Sequence, residues 1–123
     1  MEGNNFMRGI IYCKDRNSVK YKGSLILKEI IKKYELLDIK GSYVFSSNRT
    51  TAEFSNGDKW RVIPASENAR GARCNIAYIE RNIDYNVYRT IISPSVHDFP
   101  YSAIHLWGEG DLHINDTPDL PFR

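Results

Sequence analysis

Few residues in this 123-residue chain have the type and spacing to do chemistry, and they fall in two short stretches. Ile76-Ala77-Tyr78-Ile79-Glu80-Arg81 is an apolar run that stops at a carboxylate followed by a guanidinium. A strand that ends this way puts a carboxylate and a guanidinium side by side, and an arginine accepts no proton at any working pH. Glu80 and Arg81 thus mark either a degenerate nucleotide or magnesium pocket or charged residues held in a local ion pair at a strand end. Just upstream, Arg70 and Arg73 stand on either side of Gly71. Outward-facing turn amides and two guanidinium groups could meet phosphates of DNA or a nucleotide there. The plainer alternative is a tight turn at Gly71 with solvated arginines.

Other reactive side chains point to structure first. His97, His105 and His113 recur every eight residues, a spacing that suits neither a helical i, i+4 pair nor a closed metal site, so no metal is expected. Tyr78, Tyr85, Tyr88 and Tyr101 interleave with Arg81 and Arg89, a pattern that could stack the bases of a single strand or form a half-buried aromatic rim. Cys13 and Cys74 each sit in an apolar stretch and read as buried thiols, not as a disulfide. Asp111, Asp116 and Asp119 lie among prolines in what reads as an irregular arm. No serine or cysteine has a recognisable base near it in sequence, so no catalytic residue is assigned.

The elements that must position these groups follow from periodicity. Gly9 to Cys13 is a short apolar run suited to a strand buried on both faces. Lys14 to Gly23 is polar and turn-rich, and Ser24 offers an N-cap to a helix over 24–37. Leu27, Ile30, Ile31 and Tyr34 form the buried stripe of that helix, and Lys28, Lys32 and Lys33 its solvated face. Gly41 closes the connection. Tyr43 to Phe45, Thr51 to Phe54 and Lys59 to Ile63 are β-prone, with turn chemistry at Ser55-Asn56-Gly57-Asp58. A two-residue turn would pair Phe54 with Lys59. An odd-length loop that pairs Phe54 with Trp60 and Ala52 with Val62 keeps the apolar residues on one face and is preferred. Cys74 to Ile79 reads as a strand, Val87 to Ile92 as one or two helical turns, and Ser102 to Trp107 as a last strand cut off at Gly108.

Strand, helix, hairpin, strand ending in an acid, short helix, strand ending in glycine: this order resembles the ATPase domain of phage terminase large subunits, read from just after its phosphate-binding helix. Phe54-Ser55-Asn56-Gly57 is similar to that family's "nGs" hairpin, Ala69-Arg70-Gly71 to its "RG" element, and Ile76 to Glu80 to its hydrophobic strand ending in acids. The resemblance implies a P-loop-ATPase-like sheet and a place for Glu80 at the first acid of the Walker B motif. It also puts Arg81 where terminases keep the carboxylate that orients the attacking water. The Gly-x-x-x-x-Gly-Lys-Ser/Thr loop that cradles phosphates does not occur in these residues. Its strand and helix, including the sheet's central strand, are expected to be missing.

The expected fold is therefore α/β, a small mixed and mainly parallel sheet with a β-hairpin and one main helix, resembling a truncated P-loop ATPase. Residues 1–110 form the domain and 111–123 the arm. The resemblance implies a non-catalytic terminase-like phage or prophage protein, a subunit, decoy or regulator of a DNA-packaging or other nucleic-acid motor. The alternatives are a small DNA- or nucleotide-binding protein and one half of a split terminase ATPase. No cofactor is expected, with ATP and magnesium only alongside a partner chain. The expected partners are a motor or terminase subunit, a second copy, or DNA. With 17 basic and 15 acidic side chains, net charge alone does not announce nucleic acid. The polar N-terminus and the lack of a run of about 20 apolar residues suggest a cytoplasmic protein.

Overall fold

A computed structural model of the chain describes residues 6–66, 69, 71–81, 83–96 and 103–108. Six strands form one sheet in the order β2-β3-β4-β1-β5-β6: β1 (Arg8–Cys13), β2 (Gly41–Ser46), β3 (Arg49–Phe54), β4 (Lys59–Pro64), β5 (Ile76–Glu80) and β6 (Ala103–Trp107). β1 lies parallel to β4 on one side and to β5 on the other, and β6 continues the parallel set beyond β5. β3 alone points against the other five, antiparallel to both β2 and β4. The mixed, mainly parallel α/β sheet expected from the sequence is present. Its described strands run without an internal gap, with β1 inside the sheet between β4 and β5 and with β2 and β6 at the two ends.

Parallel strands need cover on both faces, and the sequence supplies it unequally. Ile11 and Cys13 pack on one face with Leu27, Ile30, Ile31 and Tyr34 of the helix α2 (Ser24–Leu36). Ile10 and Tyr12 pack on the other with Ala77, Ile79, Ile91, Ile92 and Leu106. The second cover is a run of short turns: α3 (Tyr85–Val87), a wide π-type turn (Tyr88–Ile92) and a 3₁₀ turn (Ser93–Ser95). It extends the helical stretch expected over 87–92 at both ends. Pro94 is accommodated in the final 3₁₀ turn.

Two local expectations are corrected. Ser24 is not an N-cap, since its backbone is already helical and its hydroxyl donates to the Lys20 carbonyl. Helical backbone begins at Arg16, where extended Asp15 caps α1 (Arg16–Ser18) by accepting from the Ser18 N–H. It passes through a π-type turn at Val19–Gly23 before α2. The turn seats Gly23 against the sheet so closely that a Cβ there would lie 2.5 Å from both Cys13 Sγ and Val62 Cγ1.

The β3-β4 loop has odd length as expected, but it is two residues tighter. Ala52 pairs with Trp60 and Glu53 with Lys59, leaving a three-residue loop closed by Phe54 and Asp58. Gly57 adopts the positive φ of 100° that such a loop requires. Parity is preserved, so Ala52, Phe54, Trp60 and Val62 still share the α2 face.

Buried Asp58 joins three of these parts. It accepts from the Met7 N–H ahead of β1 at 2.8 Å and from the Tyr34 hydroxyl of α2 at 2.6 Å, while Trp60 Nε1 donates to that same hydroxyl. Replacing Tyr34 with phenylalanine strips Asp58 and Trp60 of this partner in a buried site. The expected loss is about 1–3 kcal/mol of unfolding free energy, read as a lower urea midpoint at unchanged slope. A loss under about 0.5 kcal/mol would show that the hydroxyl does not join these elements.

Candidate functional site

The carboxyl ends of β1, β5 and β6 converge on Glu80. After β1 the chain crosses to the β2–β4 side, and after β5 it crosses to the β6 side, so the β1/β5 boundary is the topological switch point where open α/β sheets bind ligands. Glu80 sits at this point. It is 3% exposed, and its Oε1 accepts from the Lys14 N–H at 2.8 Å and from Ser18 Oγ at 2.6 Å. A Cβ on Gly108, just past β6, would stand 3.3 Å from Glu80 Cγ. The carboxylate therefore ties the end of β1 to the helix entry, because the Ser18 that donates to it is the residue whose N–H Asp15 caps.

Arg81 turns elsewhere. Also buried, it takes its backbone N–H to the Trp107 carbonyl at 2.8 Å and donates an Nη1 hydrogen bond to the Gly108 carbonyl at 2.7 Å. The two residues that stand together in sequence thus serve different neighbours, Glu80 bracing β1 and Arg81 bracing the end of β6. Cys13 flanks this cluster, and burial, helped by the Glu80 charge, pushes its thiol up. Burial raises Cys74 to about 11 and Tyr12 to about 12 at the other face, where Tyr12 and Ser95 hydroxyls share a 3.0 Å hydrogen bond. The cysteines are free and lie in opposite cores.

Of the phosphate candidates, Arg70 lies outside the described residues. Gly71 is exposed in a turn with φ of 92°, which any L side chain would strain, and Arg73 is exposed beside it. The base-stacking pattern is not assembled: Tyr78 is fully buried, with its ring against Trp60 and His105, and Arg81 is buried too. Tyr88 is half-buried and Tyr85 exposed, so the rim is partial. Tyr101, His97, His113 and the 111–123 arm lie outside the described residues. Among the described residues no group of three His, Cys, Asp or Glu side chains could hold a metal ion. No described helix is long and apolar enough to cross a membrane.

Sequence reasoning missed a second feature. On the sheet face away from α2, the strands β3 and β4 and the start of β1 are uncovered, and they floor an open concavity of about 700 Å³. Among the described residues Arg8, Arg16, Arg49, Lys59, Arg61 and Arg73 line it, with Glu53 as the one acid. Lys59 and Arg61 alternate with buried Trp60 and Val62, a period-two signal that was readable in the sequence.

The six described strands and the helical segments packed on them define a mixed, mainly parallel α/β domain with an acid at its switch point. Within that class the fold is similar to the solved "Thermus Phage P74-26 Large Terminase ATPase domain", with a TM-score of 0.60 and 14% identity. The match covers 81% of this chain and 47% of that one, so the chain spans about half the length of the domain it is similar to. No protein-family model matches the sequence, and no curated protein sequence does. The resemblance to phage terminase ATPase domains is thus seen at the level of fold.

Two outcomes follow for this cluster. Glu80→Ala leaves the Lys14 N–H and the Ser18 hydroxyl without their acceptor and should cost about 1.5–3 kcal/mol, with Glu80→Gln costing less because its carbonyl oxygen still accepts. Chemical denaturation tests this, and equal losses in both variants would contradict it. The thiols, held above the ordinary 9.0, should resist alkylation at neutral pH until the chain unfolds. Since folding disfavours the thiolate, their contribution to stability should be constant below about pH 8.5 and fall as pH rises from there through about 11.

Proposed function

We propose that this chain is a terminase-like phage or prophage domain that turns over no ATP by itself and acts as a subunit, decoy or regulator of a nucleic-acid motor. The observation that carries this reading is the state of the two switch-point residues. Glu80 spends its Oε1 on a backbone amide and a serine, and the adjacent position, where the resemblance calls for a water-orienting carboxylate, is an arginine bonded to a carbonyl. Phosphoryl transfer depends on charges aimed at the terminal phosphate and on a group that orients the nucleophile. These residues supply neither. The reading predicts no magnesium-dependent phosphate release above the protein-free rate from the purified chain. Turnover that disappears in Glu80→Gln would reverse it.

A second reading draws on the 47% coverage of the similar domain: the chain is one half of a split ATPase whose phosphate-gripping half is supplied separately. It predicts that turnover appears when the two halves are mixed, and that Arg81→Glu raises it by restoring a carboxylate. Mixed halves that stay inactive with either residue at 81 would exclude this reading.

A further inference from the structure

At β2 the sheet ends in an open hydrogen-bonding edge that the proposed function does not use. We infer that β2 pairs antiparallel with β2 of a second copy of this chain, about a two-fold axis at Tyr43, joining two sheets into one. β2 is the last strand of the order, and all six of its residues are exposed. Edge strands are normally kept from pairing by a charge, a proline, a bulge or their brevity. β2 has none of these. It holds no charged residue and no proline, it pairs with β3 over six residues without a bulge, and Tyr43, Val44 and Phe45 at its centre favour strands.

The register with β3 shows which backbone groups face outward. The Ser55 N–H donates to the Lys40 carbonyl at 2.7 Å, just outside the Gly41–Phe54 pair, so that pair is of the non-hydrogen-bonded kind. Pairs alternate along an antiparallel ladder. Ser42, Val44 and Ser46 therefore turn their N–H and C=O groups to β3, whereas Gly41, Tyr43 and Phe45 turn theirs to the open edge. A two-fold axis at Tyr43 sets Gly41 opposite the partner's Phe45, Tyr43 opposite the partner's Tyr43, and Phe45 opposite the partner's Gly41. Each of these is a hydrogen-bonded pair that exchanges two bonds. An axis at Ser42 or Val44 would leave one of the three outward residues without a partner inside the strand.

Side chains fit the same axis. Tyr43 and Phe45 lie on the α2 face, where the Tyr43 ring is 5.8 Å from the Phe54 ring and the Lys28 ammonium stands 5.2 Å over Phe45. Gly41 offers no side chain, and the Tyr43 and Phe54 rings lean over it, each 2.8 Å from where a Cβ would be. The partner's Phe45, opposite Gly41, gains these rings as neighbours. Charge agrees with the pairing. Burial and then the Glu35 charge push the Tyr43 hydroxyl up, so Glu35 is within electrostatic reach of Tyr43, while Lys28 marks the Phe45 end. The axis brings the partner's Lys28 to the Gly41 end, toward Glu35, and symmetry repeats this match of opposite charges. Glu29 and Lys32 already pair with each other at 3.3 Å. An uncharged edge gives a foreign acidic or basic segment nothing to recognise, whereas two copies of β2 are complementary at every position.

This pairing is independent of whether the chain turns over ATP, so either can fail without the other. Sedimentation velocity of the full chain over a concentration series tests it. A species of twice the 14.2 kDa chain mass should form, dissociate on dilution and grow no further, because a two-fold contact consumes both edges. As it forms, hydrogen exchange should slow about tenfold at the Tyr43 and Phe45 amides, and less at Val44, which β3 already protects. Tyr43→Lys and Tyr43→Glu each put like charges face to face at the axis and should weaken association at least about tenfold, and mixing the two should restore it. Phe45→Pro removes an outward N–H without touching the β3 ladder, an independent block should a charge at position 43 disturb folding. A chain still monomeric at about 100 μM, a dimer that all three variants leave intact, charge variants that do not recover on mixing, or growth into open chains of copies would each overturn the assignment.

Discussion

Everything in this structure is arranged around the need to bury β1 completely. The strand has a hydrogen-bonded neighbour on each side, and from Gly9 to Cys13 every residue is buried, so both faces must be covered by apolar side chains from elsewhere. α2 meets one face and the turns over 85–95 meet the other. This double cover dictates the crossovers in opposite directions after β1 and β5, and with them the crevice at their carboxyl ends. It also sets the limits of the second cover. The turns over 85–95 pack against Ile10, Tyr12, Ala77, Ile79 and Leu106, on the β1–β5–β6 half, so the β3–β4 half of that face is left to solvent. A bare sheet face has to be polar, and among the described residues this one carries six cations and one acid.

Much of the architecture was legible because burial leaves a pattern. Apolar runs at 9–13 and 76–79 could be strands buried on both faces, and the stripe Leu27, Ile30, Ile31, Tyr34 could be one face of a helix. The parity of the β3–β4 loop was readable from Phe54 and Trp60, since an even loop would have sent them to opposite faces. The loop's length was not, because pairing Trp60 with Phe54 or with Ala52 buries the same set of residues. Helical structure over 16–23 left no apolar stripe to find: only Ser18, Val19 and Gly23 are buried there, and their burial depends on a π-type turn and on close approach to Cys13 and Val62. The signal that existed was Asp15 three residues ahead of Ser18, at capping distance.

The candidate site was legible in part and for the same reason. Glu80 and Arg81 stood out as charges ending an apolar run, and both lie at the switch point. Their partners could not be read, because Lys14, Ser18 and Gly108 come from three other segments that only the sheet order brings together. The basic face shows the limit more sharply. Arg8, Arg49, Lys59 and Arg61 are spread over more than fifty positions, and a net charge of +2 averages them with acids placed elsewhere. Alternation along β4 shows that Lys59 and Arg61 share a face, but only the parallel register of β1 with β4 puts Arg8 opposite Lys59.

This chain is similar in fold to a terminase ATPase domain, yet what fills a crevice is decided side chain by side chain. A carboxylate that is to serve a metal or a water must keep its lone pairs aimed at open space. Here two donors from the chain itself, at 2.8 and 2.6 Å, converge on one oxygen of a residue that is 97% buried by its 3% exposure. Both donors lose their acceptor when the acid is removed, so its removal would loosen both the end of β1 and the entry to the helical segment. Bracing of this kind is by itself a sufficient physical reason for an acid at position 80.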